Sequence, residues 1–166
     1  MNPHIQKHPF APFFDTHSQV LILGSFPSPD SKSAGFYYQN KHNRFWEIME
    51  CVFETKDLQG NIANQKAFLT KHHIALWDII ESCQIEGAKD ESIKNPTSND
   101  LDIILSVAPI RQIFTTGSKA FMLAHKFYPH LHCIKLTSSS KRTQIQGYTT
   151  QRLSKQYRQI KEVLDS

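Results

Sequence analysis

Cysteine is scarce: Cys51, Cys83 and Cys133 are far apart and odd in number. That excludes a disulfide-stapled scaffold and any Cys-x-x-Cys zinc or iron–sulfur framework, and it fits the reduced thiols of a cytoplasmic protein. Glycine is scarce too. None of the six glycines forms a Gly-x-Gly-x-x-Gly or Walker pattern, so a nucleotide-phosphate cradle, and with it a nucleotide-hydrolysing enzyme, is not supported. Apolar runs such as Val20-Leu21-Ile22-Leu23 stop after a handful of residues, which leaves no membrane-crossing helix and no membrane partner. The start, Met1-Asn2-Pro3-His4-Ile5, lacks the charged-then-apolar order of a secretory signal. Nine histidines invite a metal, but His72 and His73 are adjacent and point apart. No His-Glu-x-x-His or paired-carboxylate spacing occurs, so no bound metal is expected. Ser25 and Ser28 lack the Gly-x-Ser-x-Gly elbow of a serine nucleophile.

What is present suits one compact domain over all 166 residues, with positions 1–18 as an N-terminal arm whose Phe10, Phe13 and Phe14 lie against the body. Val20 to Gly24 is an apolar run ending in Gly, the form of a buried parallel strand. Ser25 to Ser31, with two prolines and three serines, reads as an irregular loop. Asn43 caps a helix through Phe45, Ile48, Met49 and Val52, and a second helix covers Asn61 to His72. Strands follow at 74–77, 113–117 and 132–136. Residues 81–98 read mostly as loop, Asn99 caps a helix through Leu101 and Leu105, and further helices cover Ser118 to Phe127 and Gln151 to Leu164. Four alternations of strand and helix predict a three-layer α/β/α sandwich around a four-stranded parallel sheet. Ligands of such sheets bind beyond the carboxyl ends of the strands, which directs attention to loops 24–43, 77–98, 116–118 and 136–150.

Charge is unevenly placed. Residues 1–134 carry 12 Lys and Arg against 13 Asp and Glu, whereas residues 135–166 carry seven against two. The excess positive charge therefore lies in the last strand, loop and helix, as either a polyanion footprint or a solvated basic helix. Segment 24–46 brings together small polar residues after a strand, the consecutive aromatics Phe36, Tyr37 and Tyr38, and then Asn43-Arg44-Phe45-Trp46. Such a set suits a planar polar ligand, with aromatics on its face and amides at its edge. Phe45 and Trp46 read as core, while Tyr37 and Tyr38 fit either core or ligand contact.

Leu21-Ile22-Leu23-Gly24-Ser25-Phe26-Pro27-Ser28, the Phe36-Tyr37-Tyr38 block, Asn43-Arg44-Phe45-Trp46 and Ile74-Ala75-Leu76-Trp77-Asp78-Ile79-Ile80 resemble the uracil-DNA glycosylase superfamily. The likeness is to its hypoxanthine-DNA glycosylase branch, related to the mismatch-specific uracil/thymine glycosylases. Glu81-Ser82-Cys83, Ser92-Ile93-Lys94-Asn95 and Thr115-Thr116-Gly117 extend it from about His8 to Leu136. The resemblance implies a monomeric, cofactor-free enzyme that flips a deaminated base, hypoxanthine or uracil, out of DNA and hydrolyses its N-glycosidic bond in base excision repair.

By that resemblance, the water-holding Asn of the mismatch-specific relatives falls on Phe26, which cannot hold water. Asn43 is the implied replacement, orienting water while also capping its helix, with Asn40 and Asp78 as lesser candidates. Tyr38 would stack on the flipped base with Tyr37 beside it. The backbone N–H groups of Ser25 and Phe26 would face a base carbonyl, Ser31 would touch base or phosphate, and Thr116 would line the pocket or merely pack. After the fourth strand the family's Pro-Ser-Thr-Ser-Pro-like loop is replaced by Thr137-Ser138-Ser139-Ser140-Lys141-Arg142-Thr143. Both prolines are lost, but Ser138, Ser139, Ser140, Lys141 and Arg142 remain suited to DNA phosphates. A DNA-binding member with weakened or lost catalysis is the competing expectation.

Overall fold

The computed structural model describes residues 5–85 and 92–166; the start of the chain and part of the loop expected over 81–98 lie outside them. Strands β2 (Val20–Gly24), β3 (Ile74–Asp78), β6 (Gln112–Thr116) and β7 (Cys133–Leu136) form one parallel sheet in the order β3-β2-β6-β7. Every residue of β2 and β3 is buried. That is why their sequences are near-continuous apolar runs: both faces are covered. Each fully buried Leu or Ile there contributes about 1.5–3 kcal/mol.

Helices flank this sheet in a three-layer α/β/α arrangement. Helix α2 (Phe45–Phe53) buries Phe45, Ile48, Met49 and Val52, a 3.6-residue stripe. It packs on α6 (Thr150–Asp165), which buries Leu153, Tyr157 and Ile160. Helix α3 (Ile62–His72) lies against β3, and α5 (Ser118–Phe127) against β6 and β7. The expected Asn61 cap is present, its side chain accepting the Asn64 amide.

Four local expectations are corrected. Ser25–Ser31 is not irregular to its end, because helix α1 (Pro29–Ala34) begins inside it. Ser28 accepts the Ser31 amide as N-cap, and Pro29 stands in the first turn, where a missing N–H costs nothing. Nor is 81–98 mostly loop. Strands β4 (Ile80–Gln84) and β5 (Lys94–Ser98) pair antiparallel, and the arm contributes β1 (Ile5–Lys7) to a second sheet of order β1-β4-β5. Register shifts within the β4–β5 pair and Pro96 in an edge strand hide this from period counting. The arm is thus partly strand; beyond it Phe13 bridges Leu76, and Phe10, Phe13 and Phe14 lie on the core as expected. Lastly, Asn99 caps no helix. Its amide donates to the carbonyls of Asp78 and Ile80 at 2.8 and 3.1 Å, fixing the bend between β3 and β4, and the short α4 (Asp102–Leu105) starts after Leu101.

Candidate active site at the carboxyl edge of the parallel sheet

Parallel pairing places Gly24 beside Asp78 at the ends of β2 and β3. Asp78 is 4% exposed. A methyl group built on Gly24 would stand 2.5 Å from Asp78 Oδ1 and 3.4 Å from the Tyr38 hydroxyl. Glycine is needed here for that close approach, and the three groups form one cluster.

Asp78 Oδ2 lies 2.8 Å from His8 Nε2, while His8 Nδ1 lies 2.7 Å from the Phe10 carbonyl. A carbonyl only accepts, so Nδ1 carries a hydrogen. The His8 ring thus spans from the arm's own backbone to the Asp78 carboxylate. The second sheet places this partner: the His8 amide donates to the Glu81 carbonyl at 2.6 Å, extending the β1–β4 ladder by one rung.

Tyr38 adopts φ +58°, a left-handed conformation that costs a non-glycine residue about 1 kcal/mol or more. That twist lays its ring on Phe45, with centroids 4.0 Å apart and planes 18° from parallel. It brings the hydroxyl within 3.1 Å of Thr116 Oγ1. Burial first, and Asp78 second, push the Tyr38 phenol far above its ordinary range.

Asn43 approaches from the opposite side. Its Oδ1 accepts the Phe45 amide at 2.9 Å and the Ser139 hydroxyl at 2.8 Å. A backbone N–H only donates, so the orientation of the carboxamide is fixed, and both lone pairs of Oδ1 are used. Among the described residues neither Nδ2 hydrogen meets an acceptor. The hydrogen-bonding capacity left to the Asn43 side chain is therefore that of a donor. Arg44, not Asn43, occupies the cap position of α2, although Asn43 still takes the amide of its first residue.

The loop after β7 closes the site. Ser138 packs beside Gly117, whose φ of +91° is one that only glycine adopts readily. Ser139 is buried, Asn43 and Ser140 form a bridge, and a 3-10 turn covers Lys141–Gln144. Lys141 and Arg142 are exposed on that turn, and Ile145 just beyond it is 93% exposed. Sequence reading passed over Ile145; its signal is a lone aliphatic residue in a polar loop. Part of the basic excess lies elsewhere, since Lys161 on α6 pairs with Asp165 at 2.7 Å.

The expected site residues do not all converge. Asn43, Tyr38, Thr116 and the Ser25–Phe26 backbone share the strand ends with Asp78 and the serines. Phe26 is half-buried under the Lys32 ammonium, 4.8 Å from its ring centroid. Ser31 is buried, and its hydroxyl accepts from the Gln39 amide and the Ser28 hydroxyl, clasping the segment shut. Tyr37 is 2% exposed and turns to the arm, donating to the Ala11 carbonyl at 3.0 Å. A separate cavity of about 480 Å³, lined by Phe121, His125, Leu131 and Cys133, lies at the opposite end of β7. Among the described residues no cluster of His, Cys, Asp or Glu suits a metal ion.

Comparison with known proteins agrees with this architecture. The sequence model of the uracil DNA glycosylase superfamily matches residues 11–164. A hypoxanthine DNA glycosylase of Methanosarcina barkeri is 31% identical over 118 residues, 70% of this chain and 74% of that protein. One from Methanosarcina acetivorans is 33% identical over 116 residues, 69% and 73% of the two chains. The solution NMR structure of a Methanosarcina acetivorans protein, described as a candidate uracil DNA glycosylase, superposes with a TM-score of 0.75 at 24% identity. It covers 95% of this chain and 99% of its own, a likeness of fold. With the family's sequence model spanning residues 11–164 and hypoxanthine DNA glycosylases above 30% identity over about 70% of its length, this chain belongs to the uracil DNA glycosylase superfamily, on the branch of the hypoxanthine DNA glycosylases.

Proposed function

We propose that this protein is a monofunctional DNA glycosylase that releases hypoxanthine, and secondarily uracil, from DNA. The observation that supports the reading is the fixed Asn43 carboxamide, whose oxygen is fully engaged and whose remaining capacity is that of a donor. When the bond from C1′ to the base nitrogen breaks, its electron pair stays with the base, and the sugar becomes oxocarbenium-like. Water then bonds to C1′ through its oxygen, and the proton it loses ends on the departed base anion, giving the neutral base and an abasic sugar. Donors aimed at the departing base stabilise its developing negative charge, and the water needs position more than a strong base. Donors of this kind are Asn43 Nδ2 and the Ser25 and Phe26 amides. This differs from the expectation that Asn43 holds water by accepting a hydrogen, because no lone pair of its Oδ1 is left.

Asp78 supplies the complementary acceptor. Hypoxanthine and uracil carry a lactam N–H at the edge where adenine and cytosine carry a bare lone pair. A carboxylate accepts from the first pair and repels the second, so Asp78, held by His8, favours deaminated bases. Ile145 is the apolar group that would enter the stack as the base leaves it.

Single-turnover release from labelled duplexes containing deoxyinosine, deoxyuridine or normal bases tests the reading. Duplex binding without release would support the competing view of an inactive DNA-binding member. The role of Asn43 has a sharper test. Asn43→Asp keeps both accepted hydrogen bonds, loses the donor and puts a negative charge in its place. It should fold normally and be roughly 100–1,000-fold slower, as should Asn43→Ala. An aspartate variant at wild-type speed would mean that Asn43 works as a water acceptor after all.

A further inference from the structure

Arg44 is 1% exposed, and its guanidinium faces no carboxylate among the described residues. Its acceptors are neutral: the Ser140 carbonyl at 3.1 Å, Thr143 Oγ1 at 2.7 Å, the Tyr148 carbonyl at 2.9 Å and Thr150 Oγ1 at 3.4 Å. Its Nε is buried without a partner, and its own amide donates to the Ser139 carbonyl at 2.9 Å. A buried cation satisfied only by neutral groups is a poor stabiliser, since an apolar residue of similar volume often does as well or better. What the guanidinium does supply is geometry. One rigid fork reaches both ends of the loop that holds Asn43, from Ser140 to the start of α6.

We infer that Arg44 is a positioning residue: it fastens the serine loop to the Asn43 turn, and through Ser139 fixes the carboxamide with its donors toward the substrate. The inference rests on the proposed glycosylase reading for its consequence, but not for its structural content. A lysine keeps the charge but reaches fewer of the acceptors in one plane, so charge and geometry are separable.

The test uses the full chain with Arg44→Met, Arg44→Lys, Ser139→Ala and the Arg44→Met/Ser139→Ala double variant. Single-turnover release at saturating enzyme and duplex Kd are measured separately. Amide exchange of Lys141, whose N–H bonds the His42 carbonyl at 2.7 Å, is followed by NMR. Both Arg44 variants should lose Lys141 protection and slow about 100-fold, the scale of a misplacement of about one ångström, with Kd changed less than about threefold. The double variant should be no slower than Arg44→Met, because both changes break one chain of contacts. The inference is overturned by full activity of Arg44→Lys, by multiplicative losses in the double variant, or by a folded Arg44→Met with unchanged rate and protection. Should Arg44→Met fail to fold, Thr143→Val removes one acceptor and should lose about tenfold in rate; no loss there would also overturn it. If the wild-type protein releases no hypoxanthine, the proposed activity falls, while the exchange measurement still decides the role of Arg44.

Discussion

At the scale of single side chains, hydrogen-bonding capacity is deliberately used up so that what remains is directional. Asn43 keeps its donors, Asp78 keeps Oδ1, and Tyr38 spends its hydroxyl on Thr116 and one ring face on Phe45. On the proposed reading, base stacking falls to the other face of Tyr38. Tyr38→Phe should cost about 1 kcal/mol of folding stability through the lost Thr116 contact and leave base release nearly intact. Tyr38→Ala should cost a further 1–3 kcal/mol or about that in productive binding to a deoxyinosine duplex. Equal losses in titrations of the two variants would assign the role to the hydroxyl instead of the ring face.

At the scale of elements, the arm reaches the active site. With His8 and Asp78 both nearly inaccessible, His8→Ala leaves a buried carboxylate unpaired and should destabilise by about 3–5 kcal/mol in urea unfolding. His8→Gln, which retains a donor, should lose clearly less; equal losses would mean that the ring's packing against Phe10 and Tyr37 matters more than the pair. This arm shows where sequence reading reaches and where it stops. The central strands were legible because burial on both faces leaves apolar runs, and α2 and α6 because their stripes repeat at helical spacing. The second sheet was not, since a three-residue strand has no measurable period and β5 carries Pro96. Asn43 and Tyr38 were named through the likeness of motifs. The donor-only face of Asn43 was beyond reach, because it depends on Ser139, 96 positions away.

At the scale of the molecule, charge and burial set the response to salt and pH. Lys141 and Arg142 stand exposed beside Ile145. Replacing both by alanine should weaken binding to all duplexes alike and make the log–log salt slope shallower by about 0.9 per lost phosphate contact. Ile145→Gly, in the same titrations, should leave that slope alone and slow release from duplex more than from single strands. Unchanged affinity and slope in the double alanine variant would move the DNA face elsewhere. Burial, chiefly, raises the phenols of Tyr37, Tyr38 and Tyr157 in the folded state. A raised acid keeps its proton when folded, so its stabilising contribution is intact below the unfolded value of about 10 and declines as pH climbs past it. Alkaline unfolding should therefore begin near there, with phenolate absorbance rising together with the loss of helix signal; phenolate appearing first would contradict it. The pairing of His8 with Asp78 spans 70 positions, and β1 joins β4 only after the intervening chain exists. Such long-range closure comes late in folding and opens early in fluctuation. On the proposed reading, substitutions that loosen β1 from β4 should erode selectivity for a deaminated base with little change in melting temperature: the chain can stay folded after it has stopped discriminating.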